Sequence, residues 1–130
     1  MKLMIYVALT ILVDVLAAQA RLSVKVEEPK RTGEKSLIKA TLKNTFAEKV
    51  ESARATLFLL DENGKPVQQM TRWVVGGTKD RPALAAGSST TYNFVVVSDK
   101  PFATTKLIFS RIVLEGGKVA DPVTGVTFER

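Results

Sequence analysis

The chain has no cysteine and no histidine. Nucleophilic catalysis by Ser-His-Asp or Cys-His pairs is therefore excluded. So are structural zinc and the catalytic zinc sites built on imidazole or thiolate. The missing cysteines also exclude the bridged antibody-type domain and the acylated cysteine that tethers a bacterial lipoprotein. Aromatic residues are sparse, with Trp73 the single tryptophan. Beyond the first residues there is no second hydrophobic run, no internal repeat and no helical periodicity. For catalysis only carboxylates, lysines, tyrosines and hydroxyls remain.

The opening stretch MKLMIYVALTILVDVLAAQA has the form of an export signal. Lys2 gives a positive start, Leu3 to Leu16 is apolar apart from Asp14, and Ala18-Gln19-Ala20 is a small-x-small cleavage site. The apolar run is shorter than the roughly 20 residues a spanning helix needs, and it carries a carboxylate. The expectation is residues 1–20 as signal peptide and residues 21–130 as one domain, with no membrane span in the mature form. That places the protein in the periplasm or outside the cell. Removing Lys2 and Asp14 together leaves the net charge at +6.

Residues 21–130 alternate with period two. Leu22, Val24 and Val26 interleave with Ser23, Lys25 and Glu27, and Ile38, Ala40 and Leu42 with Lys39, Thr41 and Lys43. Each is a strand with one buried and one wet face. Between them EPKRTGEKS reads as a polar connection punctuated by Pro29 and Gly33. Ala53, Ala55, Leu57 and Leu59 form a further buried face, followed by runs over Val67–Val75 and Thr90–Val96. KLIFSRIVLE, Lys106 to Glu115, is the most apolar and suits a central strand. A two-glycine turn then leads to a last run ending at Val126-Thr127-Phe128. About seven short strands with turns between them predict an all-β, immunoglobulin-like Greek-key sandwich. Gly76 to Ser88 is expected to cross from one sheet to the other.

Several motifs invite a chemical reading. Asp61 and Asn63 match the first two donors of an EF-hand loop, but Gly64 falls too early, and Lys65 and Pro66 stand where oxygens belong. The stretch is read as a hairpin turn with Asn63-Gly64 at positive φ, and no metal is expected. Ser36 and Lys39 form S-x-x-K, yet on a strand the two side chains point to opposite faces. Gly76-Gly77-Thr78-Lys79 lacks the full phosphate-loop pattern and any βαβ setting. Asp80, Asp99 and Asp121 lie near loops, the raw material for a carboxylate pair, although so short a chain has little room for a cleft.

Two groups are candidates for ligand binding. Lys25, Lys39 and Lys43 share the wet faces of the first strands, a patch suited to an acidic polysaccharide, though ordinary solvation is the simpler reading. Nucleic acid is not expected, because no aromatic platforms lie among the lysines. Trp73 shares its face by alternation with Val67, Gln69, Thr71 and Val75. Packing across the sandwich is favoured for it over stacking on a sugar.

With these elements placed, the chain resembles the FxLYD-type immunoglobulin-like domains of bacterial envelope and secreted proteins. Leu59, Asp61 and Gly64 hold places in the family's strand-turn motif. Leu57 stands for its Phe and Leu60 for its Tyr. Asn44 sits near the end of the preceding strand, and Leu84 and Gly87 flank Ala85-Ala86, with Ala86 in place of the family's Pro, ahead of Phe94. The resemblance spans about Leu22 to Leu114 and implies a noncatalytic sandwich with no catalytic residue to carry over; no cofactor is expected. The functional expectation is an exported, noncatalytic module binding an envelope protein. The alternatives are a carbohydrate-binding module using Trp73 and the basic face, and a small carboxylate-dependent hydrolase.

Overall fold

A computed structural model describes residues 20–129. The expected signal peptide, apart from Ala20, lies outside the described residues. Nine strands follow one another: β1 (Leu22–Val26), β2 (Lys30–Thr32), β3 (Lys35–Asn44), β4 (Val50–Leu60), β5 (Pro66–Val75), β6 (Ser89–Val97), β7 (Thr104–Leu114), β8 (Val119–Ala120) and β9 (Val126–Glu129). One sheet holds β6, β3, β1, β2 and β9, and the other runs β5-β4-β7-β8. The chain changes sheet between β3 and β4, β5 and β6, β6 and β7, and β8 and β9. This is the sandwich that the period-two pattern predicts. The Gly76–Ser88 segment is indeed a crossing between sheets.

Seven of the nine strands correspond to the expected runs. The two others are short. β2 lies within EPKRTGEKS, where Lys30, Arg31 and Thr32 pair with Leu37, Ser36 and Lys35. β8 pairs only Ala120 and Val119, with Ile112 and Val113. Neither has an apolar face long enough to show as alternation.

The core forms where the inner faces meet. Leu22, Val24, Ile38, Ala40 and Leu42 from one sheet are buried against Ala53, Ala55, Leu57, Leu59 and Ile112 from the other. Tyr92 and Phe94 point inward and meet edge to face, 4.7 Å between centroids. Asn44, fully buried, clips the β3–β4 loop to the crossing segment between β5 and β6. Its Nδ2 donates to the carbonyls of Glu48 (2.9 Å) and Leu84 (3.0 Å), and its Oδ1 accepts from the Phe46 amide (2.9 Å). Its main chain also bonds Ser88 and Gly87. A buried amide must find partners, and here those partners set where β6 begins.

The β4–β5 connection is a hairpin turn built on Asp61. The Gly64 amide donates to the Asp61 carbonyl at 3.0 Å, and Asp61 Oδ1 accepts from the amides of Asn63 and Lys65, both at 2.9 Å. Gly64 has φ +80°, while among the described residues none other than glycine has positive φ. The expectation of positive φ at Asn63 is thus corrected. The loop turns with a single left-handed residue at Gly64, the geometry of a three-residue hairpin with a glycine bulge.

Candidate functional site

Among the described residues five strands pair on one side only: β6, β9 and the three-residue β2 in one sheet, β5 and β8 in the other. An edge strand carries a row of main-chain donors and acceptors able to bond another chain, and proteins usually blunt it. β8 and β9 are short. β5 begins at Pro66, breaks register with β4 at Val74, and places Arg72 opposite the buried Ala55 on the inward side. Proline, a bulge and an inward charge are three standard ways to spoil an edge.

β6 has none of them. SSTTYNFVVV, Ser88 to Val97, contains no charge and no proline, and β6 pairs with β3 in unbroken register from Lys43↔Ser89 to Lys35↔Val97. The Ser88 carbonyl accepts from Asn44 and the Ser98 amide donates to Glu34, so even-numbered residues bond toward β3. In an antiparallel ladder the N–H and C=O of one residue point the same way. Ser89, Thr91, Asn93, Val95 and Val97 therefore direct theirs to the free side. The Val97 carbonyl confirms that direction, because Gln68 Nε2 reaches it from β5 at 3.3 Å. On the solvent face of the same strand Val95 is 47% and Val97 63% exposed.

β5 and β6 face each other across one open side of the sandwich, and the crossing segment closes one end of that side. Arg81 of the segment lays its guanidinium 4.6 Å from the ring centroid of Tyr92. Beside it is a cavity of ≈ 370 Å³, lined by residues that include Val74, Val75, Asp80, Arg81, Leu84 and Thr90.

The residues singled out in the sequence do not gather into one site. Lys25, Lys39 and Lys43 share the outer face of the first sheet, where Lys25 pairs with Thr41, midway between the other two along β3. The face is not purely basic. Glu129 of β9 stands opposite Lys25 and accepts a 2.7 Å bond from Ser23 Oγ.

Trp73 lies on the outer face of the other sheet, opposite Arg54, whose guanidinium is 5.5 Å from the ring centroid. It does not pack across the sandwich. Trp73 continues the outward alternation of Gln69 and Thr71, which stand opposite Phe58 and Thr56, and the bulge at Val74 takes only Val75 off that face, so that Val74 and Val75 are both buried. A combined surface of Trp73 and the lysines is therefore absent, the two lying on opposite outer faces. The indole is also partly covered, since a Cβ at Gly77 would fall 2.3 Å from Trp73 Cδ2. That main chain occupies ring area a stacking sugar needs.

The remaining motifs are structural. Ser36 is buried and Lys39 lies on the opposite, outer face. Asp80 and Asp99 line different cavities. Asp121 caps the turn before β9. Its Oδ1 accepts from the amides of Thr124 and Val123, which hold its carboxyl below the usual carboxylate range. Among the described residues no three acids gather as metal ligands.

No family model matches the sequence, and no curated protein matches it. Solved structures share the fold. The chain is similar to IrmA from Escherichia coli, with 16% identity over 84% of this chain and 91% of that one and a TM-score of 0.56. It is also similar to the X-ray structure of a structural-genomics target, 24% identical over 77% of each chain with a TM-score of 0.52. An ApaA-like protein from Bordetella pertussis is 17% identical, over 77% of this chain and 86% of that one, with a TM-score of 0.53. At these identities the likeness establishes the sandwich and leaves the ligand to the site itself.

The β6 edge and Arg81 were not singled out by the sequence. The missing charge in Ser89–Val97 was visible there, but only the strand order makes that run an edge.

Proposed function

We propose that this protein is a noncatalytic, exported interaction module of the bacterial envelope, and that it binds by taking an extended segment of a partner protein onto β6. The observation that carries this reading is the free side of β6: uncharged, proline-free, in unbroken register and flanked by exposed valines. Strand addition draws affinity from main-chain bonds and specificity from alternate side chains. The leader-like first residues, the missing nucleophile-base pairs and the resemblance to FxLYD-type domains support the same reading. Asn44, Leu84 and Gly87, which carry part of that resemblance, meet around one buried amide next to β6.

The test is site-directed photocrosslinking in cells that express the protein. A photoreactive residue at Val95 should give a discrete protein adduct, and one at Thr71 on β5 should not. Asn93→Pro removes an amide that points to the free side without breaking the ladder to β3. It should abolish the Val95 adduct while the fold persists. Equal adducts from both edges, or a Val95 adduct that survives Asn93→Pro in a folded protein, would overturn the reading.

A further inference from the structure

We infer that the segment added to β6 carries a carboxylate side chain at the position facing into the sandwich beside Tyr92, and that Arg81 receives it. This rests on strand addition at β6 and adds the chemistry of the partner. Tyr92 pairs with the buried Ala40 and points inward. Residues opposite one another on neighbouring strands share a face. A residue added opposite Tyr92 on the free side therefore also points inward, whichever way the new strand runs. There it meets the Arg81 guanidinium lying on the Tyr92 ring, next to the ≈ 370 Å³ cavity.

Arg81 is poised for an acceptor. Its Nε is buried and has no hydrogen-bond partner among the described residues, and the ion pair formed among those residues joins Lys118 to Glu48 instead. Arg72 adds a second positive charge on the inward side of β5, while the exposed Asp80 is the acid lining the cavity. An apolar side chain placed here would leave the buried Nε unpaired. A carboxylate accepts from the planar guanidinium with charge assistance, and a neutral amide accepts more weakly.

Two synthetic peptides test this. Each has nine residues, acetylated and amidated, with Thr outward and Val inward, and carries either Glu or Gln at the central inward position. Hydrogen exchange should slow at the odd-numbered amides of β6 with both, and the Glu peptide should bind about tenfold more tightly at low salt. Arg81→Met should bring the Glu peptide down to the affinity of the Gln peptide. Arg81→Gln serves the same purpose should the Met variant fail to fold. Equal affinities with β6 protected would overturn the carboxylate inference and leave strand addition standing. A Glu preference that survives both Arg81 variants would overturn the role of Arg81. No protection of β6 by either peptide would overturn strand addition and this inference together.

Discussion

β5 and β6 are strands of similar length that flank the same open side of the sandwich, yet they are finished in opposite ways. β5 carries Pro66, a bulge at Val74 and an inward Arg72, and its last turn is pinned by close main-chain packing. β6 runs straight, without charge, and directs alternate main-chain groups to solvent. Both edges expose the same backbone chemistry, so the difference lies in the side chains that protect it. One edge is closed to other chains by proline, a bulge and an inward charge, and its neighbour has none of the three. Such asymmetry within one fold points to use rather than to general neglect of edges.

Substitutions at the ends and along the length of these strands would sharpen or break that contrast. The largest effect is expected at Gly76, where β5 ends. A Cβ there would lie 1.8 Å from the Glu51 carbonyl oxygen, in a backbone already at φ +53°. Gly76→Ala should lower stability by at least ~3 kcal/mol, read as a shift in the urea midpoint. Asn44→Ala, which loosens the start of β6, should cost about 2–3 kcal/mol, because it removes three hydrogen bonds made by a fully buried side chain to Phe46, Glu48 and Leu84. Thermal unfolding would show it, and an unchanged melting temperature would mean that the clip does not fix β6.

At the hairpin that begins β5, Gly64→Val should cost about 1–3 kcal/mol, since a β-branched residue resists φ +80°. Asp61→Asn should cost less, as its amide oxygen can still accept from Asn63 and Lys65. Denaturant midpoints with and without calcium would reverse that ranking if the turn were a cation site. The smallest effect on stability is expected at Val95, which is already half exposed. Val95→Lys should change it by less than about 0.5 kcal/mol, yet it gives β6 the kind of charge that guards edges elsewhere. Loss of peptide-induced exchange protection without a change in the urea midpoint would separate binding from folding.

Much of this architecture was legible in the sequence. The long strands announce themselves by alternation, as at Ala53 to Leu59, and the Asp61–Gly64 turn by its composition. Ser36 and Lys39 part to opposite faces because strand geometry leaves no alternative. Trp73 differs from expectation for a local reason: it shares the outer face with Gln69 and Thr71, and a single bulge residue, Val74, takes Val75, the apolar neighbour that suggests burial, off that face. The β6 edge was hidden for a global reason. Whether a strand is central or terminal depends on pairings between distant residues, and composition within the strand does not record them. Arg81 was hidden likewise, since only the fold brings its loop onto Tyr92.

The parallel pairing of β1 with β9 has a mechanical consequence. Leu22 to Lys25 lie in register with Val126 to Glu129, with side-chain bonds from Ser23 to Glu129 and from Arg21 to Thr127 alongside. In a parallel pair, tension applied ahead of β1 and beyond β9 pulls the two strands in opposite directions along their own axes. The ladder is then loaded in shear, so that its bonds share the force instead of opening one after another as in a peeled hairpin. A domain pulled from these two ends would yield abruptly at high force and stay whole below it.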